Sequence, residues 1–136
     1  MYIKIVDSVI QPEKVIEQAK TSDSGCVVTY VGLIRDNSHE KKVLSVEYRD
    51  SDGLAESRLK KLGEEIKAKF PVNDLALCHR VGTLKVGEVN IVFAFGCGHR
   101  EEGFAACAYA VDRFKEQMPT KKKETYLDGS TRNEWG

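Results

Sequence analysis

The chain has 136 residues, of which 21 are Lys or Arg and 21 are Asp or Glu, so its formal net charge is zero. A chain of this length is typical of one domain, expected here over residues 1–136. The balanced charge argues against a general nucleic-acid-binding protein, because such proteins carry a basic excess.

Cysteine usage and hydropathy indicate the cellular compartment in which the protein acts. No apolar run reaches the roughly 18 residues of a transmembrane helix, and the N-terminus shows no signal-peptide pattern. The four cysteines are Cys26, Cys78, Cys97 and Cys107. None forms a C-x-x-C pair, and three lie in apolar runs, where free cysteine acts as a small buried side chain. These patterns predict a soluble cytoplasmic protein with free thiols, no bound metal and no membrane contact.

The first half of the chain alternates between strand-like and helix-like patterns. Alternating or apolar runs predict strands over residues 2–6, 25–34 and 43–49. Helical periodicity predicts a short helix over 11–20 and a longer amphipathic helix over 51–70. Ser51 or Asp52 is the expected cap of the longer helix, and the polar segment 35–42 is expected to be a turn.

The second half adds more strands and a second long helix. Strands are predicted over residues 75–81, 83–86, 89–96, 121–127 and 130–135. A helix is predicted over 100–118, where Pro119 stops it. The mixture of hairpin-like strands with two long helices predicts an α+β fold with a mainly antiparallel sheet.

Lys115 occupies an unusual place on this second long helix. At about 100° per residue, one arc of the helix collects an apolar set: Phe104, Cys107, Ala108, Val111, Phe114 and Met118. Lys115 falls inside this arc, and burial there would lower its pKa. The alternative is a lysine whose stem is buried and whose ammonium group reaches solvent near the helix C-terminus.

The tail strand supplies a second lysine with a carboxylate beside it. Side chains alternate along a strand, so Lys122, Glu124 and Tyr126 share one face while Lys123 points to the other. Pro119 turns the chain between the helix and this strand. The turn allows Lys115 and Lys122 to converge on one site.

Other cations and a histidine lie at or near strand ends. His99 and Arg100 follow a predicted strand and open a helix, where backbone N–H groups and the helix dipole suit an anion. With Arg35, which also follows a strand, they predict a phosphate or carboxylate pocket, although a polar loop end is the alternative for the His-Arg pair. His79 alternates with apolar residues and is expected to be a core histidine.

Three segments together resemble a known family. They are "GCVVTYVGLIRDN" (25–37), "CHRVGTLKVGE" (78–88) and "GHREEGFAACAYAVDRFKEQMPTKKKE" (98–124). In order and spacing they resemble the large, catalytic subunit of molybdopterin synthase, the MoaE family, over nearly the whole chain. The resemblance implies an α/β-hammerhead-type fold and a homodimer that binds one small subunit at each end to form a heterotetramer.

The resemblance also implies a reaction and the residues that perform it. Sulfur passes from the C-terminal thiocarboxylate of a small ubiquitin-like (β-grasp) partner ending in Gly-Gly to cyclic pyranopterin monophosphate, which becomes the dithiolene of molybdopterin. No separate cofactor is implied. The family's catalytic lysines fall on Lys115 and Lys122, and its substrate-binding residues fall on Arg35, His99, Arg100 and Glu124.

One departure from the family pattern keeps an alternative open. Lys121 stands where the family usually has an aromatic residue, which would remove a stacking surface for the pterin. The alternative is therefore a divergent, non-catalytic paralogue that binds the partner or acts as a scaffold. An RNA-binding domain is disfavoured, because such a site needs stacking aromatics beside its lysines and only Tyr126 is near.

Overall fold

The computed structural model describes residues 1–134. Nine strands and three helices alternate along this part of the chain. The strands are β1 (Tyr2–Val6), β2 (Cys26–Leu33), β3 (Asn37–Ser38), β4 (Lys41–Arg49), β5 (Asp74–Arg80), β6 (Gly82–Lys85), β7 (Val89–Cys97), β8 (Lys121–Tyr126) and β9 (Thr131–Glu134). The helices are α1 (Pro12–Ala19), α2 (Ala55–Lys69) and α3 (Arg100–Glu116).

The first sheet has four strands in the order β1-β5-β7-β2. Only the β1–β5 pair is parallel, and the other pairs are antiparallel. Alternate residues of β5 and β7 face opposite sides, and both sides are buried. Helices α2 and α3 cover one side, where Leu77 and Phe93 belong to the larger core cluster. Helix α1 covers the other side, where Ala76 and Val92 belong to a smaller cluster.

The second sheet is centred on β4. Strand β8 pairs with one edge of β4, β3 and β6 pair with the other, and β9 lies outside β8. Val43, Val46, Tyr48, Leu84 and Tyr126 form its own buried cluster. The α+β architecture with mainly antiparallel sheets confirms the predicted fold class, and every predicted element is present at nearly its predicted place.

Two local predictions differ from the structure. Helix α2 begins at Ala55 after Leu54, so neither Ser51 nor Asp52 is its cap residue. Instead, the Asp52 and Asp50 carboxylates accept hydrogen bonds from the backbone N–H groups of Leu54 and Ala55, both at 3.1 Å. These bonds satisfy amides that a helix start leaves unpaired. Trp135, at the end of the last predicted strand, lies outside the described residues.

The segment 35–42, predicted as a turn, contains a small hairpin. Asn37 and Ser38 pair with Lys42 and Lys41, and the two residues between them have positive φ angles, 51° at residue 39 and 64° at residue 40. Two successive positive φ angles are typical of the tight turns that join antiparallel strands. The hairpin lies along the edge of β4 and approaches β8.

The buried stripe of α3 is not the one that the large apolar residues predict. The residues that face the first sheet are Gly103, Ala106, Ala110 and Phe114, whereas Phe104 is 59 % exposed. A Cβ atom at Gly103 would lie 2.6 Å from both Cys97 Sγ and Val28 Cγ2, so the helix approaches the sheet through its smallest residues. Lys115 is therefore exposed rather than buried, and the prediction that it lies on the apolar stripe is wrong. Within residues 1–134, no helix is long and apolar enough to cross a membrane.

Candidate active site

A cleft of about 440 Å³ opens between the two sheets at the C-terminal end of α3. Its walls come from β2, β4, β7, α3 and β8. Four of the six residues predicted to act in the site line this cleft: Arg35, Lys115, Lys122 and Glu124. Residues separated by up to 89 positions in the sequence are thus brought to one cavity by the packing of the two sheets.

The two lysines reach the cleft from either side of one turn. Lys115 lies in the last turn of α3, and the chain then passes through Pro119 and Thr120 into β8, which carries Lys122. Both lysines line the cleft. The convergence that Pro119 predicts is present, although Lys115 reaches the cleft from the exposed flank of α3.

Glu124 is the most constrained charged group of the cleft. It is only 4 % exposed, and its Oε1 accepts hydrogen bonds of 3.0 Å from both Ser38 Oγ and Tyr126 Oη. Lys122 Nζ lies 4.0 Å from its other oxygen, Oε2, and His39 Nε2 lies 3.7 Å from Oε1. A buried carboxylate is costly unless it is paired and hydrogen-bonded, and both conditions are met here.

Alternation in β8 correctly places Lys122, Glu124 and Tyr126 on one face, but it says nothing about Ser38 and His39. These two residues come from the β3–β4 hairpin, 86 and 85 residues away in the sequence. Their contact depends on the pairing of β3 with β4 and of β4 with β8. The contact with Glu124 follows only from the register of three paired strands, so it cannot be predicted from the sequence.

Tyr48 and Asn90 form a second polar pair in the wall of the cleft. Tyr48 lies directly opposite Lys122 in the pairing of β4 with β8, and Asn90 Nδ2 donates a 2.9 Å hydrogen bond to its hydroxyl oxygen. Burial is the main reason that the pKa of Tyr48 is raised, so the hydroxyl stays protonated and keeps a proton to donate. Both residues line the cleft, and neither has a sequence pattern that marks it.

His99 and Arg100 lie at the other end of α3. The helix has 17 residues, so at 1.5 Å per residue about 22 Å separate Arg100 from Lys115. Strand pairing agrees, because Cys97 pairs with Cys26 at the start of β2 whereas Arg35 follows the end of that strand. Both His99 and Arg100 are exposed. The predicted pocket of Arg35, His99 and Arg100 is therefore not assembled within one chain.

All four cysteines are free, although Cys26 Sγ and Cys97 Sγ are only 3.5 Å apart across β2 and β7. Among residues 1–134, no group of three or more His, Cys, Asp or Glu side chains is placed to hold a metal ion. The polar chemistry of the cleft comes from ammonium, guanidinium, carboxylate, phenol, amide and aliphatic hydroxyl groups.

Comparison with known proteins identifies close similarities. The model of the family described as "MoaE protein" matches residues 5–117. A molybdopterin synthase catalytic subunit from Nostoc is 38 % identical over 120 residues, which is 88 % of this chain and 73 % of that protein. The crystal structure of molybdopterin synthase from Staphylococcus aureus superposes with a TM-score of 0.88 at 31 % identity, covering 96 % of each chain.

A more distant likeness is confined to the fold. A chain in the complex of subunits 1 and 2 of molybdopterin-converting factor from Helicobacter pylori superposes with a TM-score of 0.74 at 16 % identity. The match covers 96 % of this chain and 88 % of that one. The two-sheet architecture therefore persists where most side chains differ.

Proposed function

The chain belongs to the MoaE protein family, and on this premise we propose that it is the catalytic subunit of a molybdopterin synthase that acts in molybdenum cofactor biosynthesis. The observation that carries the proposal is the placement of Lys115 and Lys122 in one cleft, with Arg35 and Glu124 beside them. The four free thiols suit a reducing compartment such as the cytoplasm.

The proposed reaction is a sulfur transfer. The donor is the C-terminal thiocarboxylate of a small β-grasp subunit ending in Gly-Gly, and the acceptor is cyclic pyranopterin monophosphate. In the first step the anionic thiocarboxylate sulfur bonds to a pterin carbon, whose oxygen substituent leaves. Water then cleaves the bond between the sulfur and the partner's carbonyl carbon, so the partner departs as a carboxylate and the sulfur stays on the pterin. The leaving oxygen and the tetrahedral intermediate of the hydrolysis carry negative charge, which fixed cations in a partly desolvated cleft stabilise. Lys115 and Lys122 are proposed to stabilise this charge. The sulfur comes from the partner and the pterin is the substrate, so the reaction uses no resident cofactor.

Glu124 determines how Lys122 acts in this proposal. The Glu124 carboxylate attracts the Lys122 ammonium group, and its Oε2 lies 4.0 Å from Lys122 Nζ. Ser38 and Tyr126 hold the carboxylate in place. Lys122 is therefore proposed to work as an oriented ammonium group that stabilises charge.

The substrate phosphate is assigned to Arg35, His99 and Arg100, and this assignment requires a second copy of the chain. Within one chain a single phosphate cannot contact both ends of α3. In the proposed homodimer, the exposed His99 and Arg100 of one protomer would complete the cleft that contains Arg35 of its partner. A small subunit on each protomer would give the heterotetramer.

The test is reconstitution with the thiocarboxylated partner and cyclic pyranopterin monophosphate, followed by detection of the dithiolene product. Wild-type chain should form product, and Lys115→Ala and Lys122→Ala should each reduce turnover by at least about 10²-fold, the size of effect seen when one charge-stabilising donor is removed. Lys123→Ala is the matched control, since it removes a lysine from the opposite face of the same strand. Absence of product with the wild-type chain would refute the proposal.

A non-catalytic, partner-binding protein is the second candidate, favoured by Lys121 in place of an aromatic residue. In the structure Lys121 lines a neighbouring depression with Arg49 and Asp52, outside the cleft of the two catalytic lysines. The same reconstitution separates the two candidates. A scaffold would bind the partner and the homodimer would form, but no dithiolene would be made.

A further inference from the structure

We propose that His79, buried directly behind the cleft, is a positioning residue that sets the separation of Lys115 and Lys122 by holding the Pro119–Thr120 turn. The proposal rests on the proposed function, because those two lysines are its catalytic residues. His79 belongs to the "CHRVG" segment, which the proposed reaction does not otherwise use.

His79 lies one layer behind the walls of the cleft. It is a residue of β5 and is fully buried, with 0 % exposure. The ring of Tyr48 meets it edge-on with centroids 5.0 Å apart, and the ring of Phe114 does the same at 5.1 Å. Both aromatic rings line the cleft. The imidazole therefore supports the cleft from behind and does not touch its contents.

Hydrogen bonds fix the tautomer of His79. Its Nδ1 lies 3.0 Å from the carbonyl oxygen of Asn90, and because a carbonyl oxygen only accepts, Nδ1 carries the proton. Its Nε2 is then the acceptor for the hydroxyl of Thr120, at 2.9 Å. Each nitrogen has one partner of the required type. Burial lowers the pKa of His79 to about 4, which is consistent with a neutral ring.

Thr120 is the residue through which His79 acts. It is only 6 % exposed and lies five residues after Lys115 and two before Lys122. The hydroxyl bond joins β5 to a turn 41 residues away. On the outer side, the carbonyl oxygen of Pro119 accepts a 3.2 Å hydrogen bond from Arg58 Nη1. The turn is thus held from inside and outside, and its position sets the separation of the backbone segments that carry Lys115 and Lys122.

Simple core packing does not account for an imidazole at this position. Core residues of the same sheet, such as Phe93 and Leu77, are apolar and fully buried. Burying a polar ring costs free energy unless its nitrogens are bonded. A histidine offers one donor and one acceptor on opposite sides of a ring. Here they connect the backbone of β7 with the turn between the lysines, which no apolar residue could do.

The deciding experiment uses the chain in complex with its thiocarboxylated partner and compares Thr120→Val with Thr120→Ser. Valine has the shape of threonine without the hydroxyl, and serine keeps the hydroxyl. Misplacing reacting groups by about 1 Å can cost about 10²-fold in rate. We expect Thr120→Val to lower kcat by about 10- to 100-fold with little change in KM for the pterin, and Thr120→Ser to restore most of the loss.

A second readout does not depend on activity. With lysines labelled by ¹³C-methylation, the signals of Lys115 and Lys122 should shift in Thr120→Val and return in Thr120→Ser, while those of Lys123 stay in place. ¹⁵N spectra of the wild-type chain should show His79 protonated at Nδ1 and bare at Nε2. These measurements remain decisive if His79→Phe or another core variant fails to fold.

The outcomes separate this inference from the proposed function. If the wild-type chain forms no dithiolene, the proposed function fails, and the lysine signals alone decide whether His79 positions them. If Thr120→Val melts at a lower temperature but keeps wild-type kcat and unchanged lysine signals, His79 is only a packing residue and the inference is overturned. The Nε2–H tautomer in the wild-type chain would overturn it as well.

Discussion

The two ends of α3 both carry exposed basic side chains, but only the C-terminal end adjoins the cleft. At the C-terminal end, Lys115 lies in a cleft with Lys122, and Glu124 and Tyr48 complete the walls. At the N-terminal end, His99 and Arg100 are exposed and far from that cleft. A charged group inside a built cavity is oriented by its neighbours, whereas one on an open surface is not. One end therefore forms a cleft within one chain, and the other would contribute to the proposed site only beside another molecule.

Mixing two inactive variants tests this difference most strongly. Lys122→Ala and Arg100→Ala chains should each have impaired synthesis, the first by at least about 10²-fold. A mixed homodimer has one cleft with both substitutions and one with neither. Co-refolded chains should therefore recover activity, up to about half of the wild-type value in purified mixed dimers.

The control for that experiment mixes Lys115→Ala with Lys122→Ala, two residues of the same cleft. No mixed dimer of these chains contains an intact cleft, so activity should not return. Recovery in the control, or none in the Arg100 mixture, would show that both ends of α3 do not serve one site.

Acid should lower the stability of the fold through His79, which packs against Phe114 near the C-terminal end of α3. Burial holds the pKa of His79 at about 4, below the value of about 6.5 for a free histidine. Between these values the unfolded chain binds a proton that the folded chain excludes, so the free energy of unfolding falls as pH falls. The loss should reach about 2 kcal/mol by pH 5.

Urea unfolding at pH 7, 6 and 5 measures this loss. The carboxylates with lowered pKa values, such as Glu65 and Glu88, lose their contribution mainly below that range. In the His79→Phe variant, the free energy of unfolding should change little between pH 6.5 and 5. An equally steep pH dependence in the variant would assign the effect to other groups.

Two neighbouring substitutions test how the N-terminal half of α3 packs against the first sheet. Gly103→Ala places a Cβ atom 2.6 Å from Cys97 Sγ, and overpacking of this kind typically costs about 1–3 kcal/mol. Phe104→Ala removes a much larger side chain that is 59 % exposed and should change the isolated chain by only about 0.5 kcal/mol. Chemical denaturation of both variants should show the larger loss of stability in Gly103→Ala. The sizes of the side chains alone would suggest the opposite.

A last expected effect, on turnover and not on stability, concerns the charge of Glu124. Glu124→Gln keeps the shape and still offers an oxygen to Ser38 and Tyr126, but it removes the negative charge beside Lys122. A hydrogen bond or contact to a charged group contributes roughly 1.5–3 kcal/mol, so turnover should fall about tenfold or more. Steady-state kcat of the reconstituted complex measures it, and Glu47→Gln on β4 is a matched control for the loss of one carboxylate.

Local patterns predict much of this molecule because its elements follow simple periods. An apolar run identifies β7, and alternation identifies β8 and places Lys122 and Glu124 on one face. Periodicity does not predict the buried face of α3, because it assigns Phe104 to that face and gives no weight to Gly103. The value of a glycine there depends on how closely the sheet approaches, which is a property of the assembled fold.

Contacts between residues that are far apart in the sequence could not be predicted from local patterns either. Arg35 and Arg100 each follow a strand and look alike in sequence, yet the pairing of β2 with β7 places them at opposite ends. Likewise, His79 is predictable as a core residue, but its bond to Thr120 depends on where the chain returns 41 residues later. Strand register and the course of the chain, not composition, determine which polar residues lie close together.

The tight turn at His39 and Glu40 has a dynamic consequence. Both residues adopt left-handed backbone angles without being glycine, a conformation that costs L-residues roughly 1–2 kcal/mol each. The strand it closes, Asn37–Ser38, is only two residues long, so little pairing opposes that cost. The hairpin should open more often than the rest of the second sheet, and its amide hydrogens should exchange with deuterium earlier than those of β8. Each opening releases Ser38 from Glu124 while Tyr126 remains bound, so the carboxylate alternates between two and one hydroxyl donors on the timescale of local unfolding.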